Sequence, residues 1–357
     1  MSKASELANL IGNINMGGGG VNRNLVINGA MNVAQRGTSS TGLGASAGYF
    51  TLDRWNLSLG STAGRLTMTQ DSSGPSGFAN SLKLACTTAD TSIAAGEQLM
   101  LQQKIEGQNL QTIKKGTSDA KPLTLSFWVK GNASATYVAG LYEADNSRYI
   151  ASTFAVTTDW TQVEITYPAD TTGALDDDNA SSLELWIWLH AGTTYTSGTL
   201  QTSWGSGSNS IYAGGLSSSF FDSTSRTFFI TGVQLEIGQN ATEFEHIPYA
   251  DELLRCQRYY QLIKHQDNQV VWGAYGTTSG DYWNVRLPVE MRVNPSTALY
   301  SGSYTYSNMA NFNYYATAST NTTTNITAWV DYSSNGYGYV YPATGGGGTV
   351  TEIKAEI

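Results

Sequence analysis

Between Val21 and Ile247 the chain repeats one pattern: short runs of alternating apolar and polar residues, separated by stretches rich in Gly, Ser and Asn. In KPLTLSFWVKG, Leu123, Leu125, Phe127 and Val129 fall on one side. Thr124, Ser126, Trp128 and Lys130 fall on the other, which is the period of two of a β-strand. SLELWIWLHAG divides in the same way, with Leu183, Leu185, Ile187 and Leu189 opposite Glu184, Trp186, Trp188 and His190. TYVAGLYEADNSRYIAST predicts a hairpin turning at Asp145–Asn146, and WTQVEITYP alternates from Trp160 onward. NLVINGAMNVAQRG predicts an opening strand with a turn or bulge at Asn28–Gly29, and RTFFITGVQLEIG a closing one. Short strands with glycine-rich turns predict an all-β protein: two sheets packed as a β-sandwich, most simply a jelly roll, over residues 21–247.

Two segments break the rhythm. DELLRCQRYYQLI, from Asp251, reads as a helix opened after Pro248, with Leu254, Tyr259 and Leu262 toward a core. Strand-like segments then return (VVWGAYG, DYWNVRLPVEMRV, SGSYTYSNM, NITAWVDYSS, YGYVYP, TVTEIKAEI), with Gly345 to Gly348 as a long turn. Residues 250–357 therefore read as a smaller β-rich domain introduced by one helix. At the other end, Ala4, Leu7, Ile11 and Ile14 are spaced by three and four, as in a coiled-coil seam, but span only two heptads and are interrupted by Gly12. Gly17–Gly20 follow as a flexible tether. Residues 1–20 read either as a frayed tail or as a docking peptide that orders on a partner.

Composition narrows the function. Only 13% of the 357 residues are charged, about half the usual share of roughly 25%. The net charge of −9 excludes a strongly basic nucleic-acid binder. No run of about 18 apolar residues predicts membrane insertion, and MSKASELANL lacks the basic flank and apolar stretch of a secretory signal. Cys86 and Cys256 have neither zinc spacing nor a disulfide framework, and read as free thiols, at least one of them packed.

Catalytic signals are weak. The three histidines, His190, His246 and His265, have no partner at metal-ligand spacing, and no G-x-S-x-G elbow is present. His246 reads as a structural residue at the domain junction. Asp176, Asp177, Asp178 and Asn179 form the densest oxygen cluster, but lack the spacing of a calcium loop and read as a solvated turn. Glu143 with Asp145, or Glu184 with Glu164, would need about 5–9.5 Å separation to cleave a glycosidic bond. No catalytic residue and no cofactor is expected. The tryptophans say more. Trp128, Trp186 and Trp188, with His190 beside them, oppose the aliphatic faces of their strands. They would either stack on sugar rings or be covered by a loop, the C-terminal domain or a neighbouring subunit.

A family resemblance adds to this. Asn22–Gly37 (NRNLVINGAMNVAQRG) is followed in order by Leu52-Asp53-Arg54-Trp55, Lys104–Leu110 (KIEGQNL) and Leu123–Lys130 (LTLSFWVK). Thr231–Gly238 (TGVQLEIG), Phe244-Glu245-His246 and Cys256–Tyr260 (CQRYY) come next. The series resembles tail-fibre-like virion proteins of marine bacteriophages, notably those of cyanobacteria. It spans about residues 21–262, with Leu287–Arg292 (LPVEMR) as a looser match beyond. The first domain also resembles a carbohydrate-binding-module jelly roll. Some members of that family hold a structural calcium between the two ends of the sandwich. The corresponding positions here, Asn32 and Gly232, are respectively a weak ligand and none. The resemblance implies a non-enzymatic virion component, a fibre or fibre-like appendage, folded in the host cytoplasm and released by lysis. It implies a homotrimer joined to other virion proteins through residues 1–20, with Leu7, Ile11 and Ile14 as the attachment seam. It also implies adhesion to a host cell-surface glycan or protein. The alternatives are a head-bound fibre or decoration protein, and a free glycan-binding module or polysaccharide depolymerase.

Overall fold

The computed structural model describes residues 2–15, 22–265, 272–276, 281–301, 304–307, 309–314, 321–332, 336–342 and 349–357. The chain forms two compact units, Met1–Glu252 and Leu253–Ile357. In the first, one sheet contains β1 (Ser39–Leu43), β4 (Arg65–Asp71), β5 (Ser81–Thr88), β7 (Leu123–Gly131), β10 (Thr161–Tyr167) and β13 (Thr227–Ile237). Its order is β1-β4-β5-β13-β7-β10. The other contains β2 (Gly48–Tyr49), β3 (Asn56–Gly60), β6 (Gln98–Glu106), β8 (Ala135–Glu143), β9 (Arg148–Val156), β11 (Ser181–Ala191) and β12 (Gly205–Ser206), in the order β12-β9-β8-β11-β6-β3-β2. All pairings are antiparallel. From β6 onward the chain passes repeatedly between the sheets, giving an all-β jelly-roll sandwich.

Alternation explains the layers. Leu123, Leu125, Phe127 and Val129 of β7 and Leu183, Leu185, Ile187 and Leu189 of β11 meet in one buried apolar cluster, joined by Leu82 and Leu84 of β5 and Phe228 and Ile230 of β13. Each fully buried side chain of this size contributes about 1.5–3 kcal/mol. The predicted hairpin at Asp145–Asn146 is the β8–β9 turn.

The opening segment departs from expectation. Residues 22–38 contain no assigned strand, because asparagine side chains take over the backbone bonding. Asn24 Oδ1 accepts the Val26 and Leu235 N–H groups at 3.0 and 3.1 Å, and its Nδ2 donates to Val233 O at 3.1 Å. Asn28, in the left-handed region at φ 60°, bonds Val33 and Asp53 carbonyls through Nδ2 and the Asn32 and Val33 N–H groups through Oδ1. Beside it, a Cβ on Gly29 would stand 2.1 Å from Val233 O, so only glycine lets this segment lie against β13.

The N-terminal helix α1 (Lys3–Asn15) exposes Leu7 at 57% and Ile11 at 49%. The side chain of Ile14 and the tether Gly17–Gly20 lie outside the described residues, as does the turn Gly345–Gly348. After the one-turn α2 (Thr193–Thr196), α3 (Tyr249–Gln257) begins behind Pro248, whose carbonyl accepts the Asp251 and Glu252 N–H groups at 3.0 Å. It ends six residues before the predicted end. Tyr260 opens a strand instead, and Leu254, expected inward, is exposed while Tyr259 is buried. The described residues of the second unit form three three-stranded antiparallel sheets. They are β14 (Tyr260–His265), β22 (Thr349–Lys354) and β17 (Ser296–Ser301); β15 (Trp272–Gly276), β21 (Gly336–Pro342) and β18 (Tyr304–Ser307); and β16 (Asp281–Arg286), β20 (Asn325–Tyr332) and β19 (Met309–Tyr314). Cys86 and Cys256 are buried and not joined in a disulfide.

Candidate functional site

The expected aromatic surface is split between the two outer faces of the sandwich. Trp128 stands on the six-stranded sheet, and Trp186, Trp188 and His190 on the seven-stranded one. The latter three are 8%, 1% and 0% exposed. The segment after β11, residues 192–216, folds over the two tryptophans, and His190 is enclosed by Glu97, Ser219 and Phe221. Tyr142 stacks on Trp186 with centroids 4.6 Å apart, Tyr212 meets the same ring edge-on at 5.1 Å, and Tyr195 lies 5.3 Å from Trp188. The Trp186 indole N–H donates to Glu184 Oε2 at 2.8 Å. Trp186, Trp188 and His190 are therefore buried, and loop cover, one of the two readings open from sequence, is what the tryptophans have.

His190 is tied on both sides. Its Nδ1 lies 2.8 Å from Ser219 Oγ and its Nε2 3.0 Å from Glu97 Oε2. The trio has the composition of a hydrolytic triad. Ser219 Oγ accepts the Phe221 N–H at 3.1 Å as a helix cap, and the imidazole is fully buried while Ser219 is half-buried. Glu184 and Glu164 lie on different sheets. Glu143 is buried with Lys115 Nζ at 3.4 Å and accepts the Asn146 N–H at 3.0 Å. Among the described residues, no group of three or more His, Cys, Asp or Glu side chains could hold a metal ion.

Trp128 is different. It is half-buried and forms part of the floor of a groove of about 260 Å³ with Ser126, Gln162 and Gly232. Gln162 lies directly across from Trp128 on β10. The groove exists because β13 bulges between Thr231 and Gln234, with Gly232 at φ 61°. A Cβ at Gly232 would stand 2.7 Å from Phe78 Cζ and 3.1 Å from Trp128 Cδ1. Glycine thus lets the β4–β5 loop bring Phe78 over the sheet. Phe78, Phe244 and His246 form the wall, with Phe78–Phe244, Phe78–His246 and Phe244–His246 centroids 5.1, 5.2 and 4.9 Å apart.

The wall is held by the TGVQLEIG strand. Gln234 and Glu236 point outward from β13 and are used up in fixing residues 242–245. Glu236 accepts the Thr242 N–H at 2.8 Å, and Gln234 Oε1 accepts the Glu245 N–H at 2.8 Å. Glu245 in turn accepts the Asn22 and Asn24 N–H groups at 2.6 and 2.9 Å. The matched motifs at the two ends of the sandwich thereby build one structure. His246, read from sequence as a junction residue, is an exposed wall residue; Phe78 was not singled out at all. The Gly-Phe pair behind SSGPS carries no periodicity, and only the bulge opposite explains its place.

Further along the same face, Phe229 of β13 lies between Lys83 and Lys130, and Trp160 meets Phe229 edge-on at 6.2 Å. Lys130 Nζ is 4.8 Å from the Phe229 ring centroid and 5.0 Å from that of Trp160.

No protein-family model matches the chain, and no curated protein matches it. Solved structures do. The enzymatically active domain of bacteriophage CBA120 tailspike protein 4 is similar at 15% identity over 60% of this chain and 21% of that one, with a TM-score of 0.32. A CBM4 module is similar at 12% identity over 59% and 97%, with a TM-score of 0.30. The family 11 carbohydrate-binding module from Clostridium thermocellum, solved with a β-1,3-1,4-mixed-linked tetrasaccharide, is similar at 12% identity over 58% and 98%, with a TM-score of 0.29. The chain thus spans about a fifth of the tailspike structure. Similarities this loose carry no argument, and the sandwich is established by its own strand pairing.

Proposed function

We propose that this chain is a non-catalytic adhesion component of a phage particle, whose sandwich binds a cell-surface glycan in the Trp128 groove. The observation that carries the reading is the contrast between the two outer faces. One buries its tryptophans under a dedicated loop, while the other keeps Trp128, Phe78, Phe244 and His246 around an open groove. Sugar rings pair a C–H-rich face with aromatic rings and a hydroxyl rim with polar donors. Ser126 and Gln162 supply the polar part of the floor. The virion assignment rests on the ordered sequence motifs. In it, residues 1–20 dock to other virion proteins, and a homotrimer sums weak sites into firm attachment.

Two experiments test this. On a glycan array the full chain binds at least one surface polysaccharide, and Trp128→Ala weakens it about 30-fold, the scale of a central aromatic anchor. Trp128→Ala with unchanged binding would move the site elsewhere. Mass spectrometry of purified particles should find the chain among their proteins; its absence overturns the virion reading. Release of reducing ends from the bound glycan would overturn the non-catalytic one.

A further inference from the structure

We propose that the glycan of this groove is acidic, and that Lys130 is the position that receives its anionic group. The inference rests on the reading of the Trp128 groove as a glycan site. Lys130 is two residues beyond Trp128 on β7, so both project from the same outer face, one step apart along the strand. Its ammonium is held in place: the rings of Phe229 and Trp160 lie 4.8 and 5.0 Å from Nζ. Lys83 approaches the same Phe229 ring at 5.2 Å from the neighbouring strand β5. Two like charges thus share one aromatic ring, an arrangement that repels unless something negative sits between or above them.

Only one of the two is answered within the protein. Lys83 Nζ lies 3.4 Å from Asp71 Oδ2. Lys130 has no carboxylate at ion-pair distance among the described residues, although it is half-buried. Cation–π contact orients an ammonium without neutralising it, and partial burial strengthens whatever charge it meets. In a chain with a net charge of −9, a fixed, unanswered cation beside an aromatic groove is a recognition element for a carboxylate or sulfate. Two carboxylates line the groove, Glu6 of α1 and Glu243, and Glu243 is on the segment tied to Gln234 and Glu236. Those residues face Ser126 and Thr124, toward the other end of β7, so the groove is polarised along the strand. A sugar over Trp128 then places an acidic substituent of the next unit at Lys130.

Calorimetric titration of the full chain at low salt tests this. The probes are a galacturonic acid hexamer, its methyl ester, a sulfated galactose hexamer and the neutral galactose hexamer. The acidic hexamer that matches the site binds about tenfold more tightly than its uncharged counterpart, the size of one charge-assisted hydrogen bond. Preference for the uronate or for the sulfated form identifies the anion. The gap narrows at high salt. Lys130→Gln brings the ratio toward one, and Lys130→Arg preserves it; unchanged melting temperatures show both variants folded. Equal binding of charged and uncharged hexamers, or a ratio unmoved in Lys130→Gln, overturns the inference and leaves the glycan groove standing. Failure of every saccharide, here and on the array, overturns the groove reading and this inference with it.

Discussion

Asn28 shows how a single side chain can replace an element. The residue holds a left-handed backbone and four hydrogen bonds of 2.8–3.0 Å. It thereby closes the turn that the motif NGAMN only hinted at. Asn28→Ala removes those bonds and leaves the left-handed backbone without the side-chain contacts that compensate for it. It should cost about 2–4 kcal/mol in urea unfolding. A loss below about 1 kcal/mol would show that the turn is held by β13 alone. Asn-Gly announced a turn in the sequence. That the same asparagine would displace the predicted opening strand was not legible, because propensity says nothing of where its amide reaches.

At the scale of elements, alternation was legible and cover was not. In β7 and β11 the aliphatic residues Leu123, Leu125, Phe127 and Val129, and Leu183, Leu185, Ile187 and Leu189, lie in the core as their alternation predicts, whereas the bulge that interrupts β13 between Thr231 and Gln234 carries no such signal. The same period places Trp128, Trp186 and Trp188 alike, each opposite its aliphatic neighbours. What separates them is residues 192–216, rich in Gly, Ser and Thr and without strand-like alternation. The loop is folded by specific anchors: Tyr149 Oη donates to Tyr212 O at 2.6 Å, and the Gly198 N–H donates to Ser210 O at 2.7 Å. The two kinds of tryptophan therefore respond oppositely. Trp188→Ala opens a cavity under the loop and should cost about 3–5 kcal/mol in thermal or urea unfolding. Trp128→Ala, at a half-open groove, should stay within about 1.5 kcal/mol of the parent while losing ligand. Similar costs at both positions would mean that Trp128 is structural and the groove closed.

Across the whole first unit, acid sensitivity should come from a few carboxylates held in place by donors. Asp170 joins two parts of the sandwich. Arg148 on β9 donates to both of its oxygens at 2.7 and 2.9 Å, and Lys115 Nζ lies at 3.1 Å. Burial by itself raises the Asp170 carboxyl, but the bonds from Arg148 and Lys115 outweigh it and hold the group below its ordinary 3.8. Asp71 and Asp90 are lowered too. Burial raises each, and the hydrogen bonds from Ser73 to Asp71, and from Ala63 and Thr62 to Asp90, prevail. A carboxyl lowered by folding stabilises the native state above its unfolded value, and that stability is lost as pH falls through the folded value. Stability from these three groups is therefore intact at neutral pH and declines below about pH 3.8. Asp170→Asn strands Arg148 and weakens the anchoring of Lys115, and should cost about 3 kcal/mol at pH 7. In acid the parent loses the same charge, so the two unfolding curves should converge as pH drops below 3.8. A gap that persists at the lowest pH would place Asp170's contribution in packing. A gap that widens would reverse the sign of the linkage and remove the ion pair as its cause.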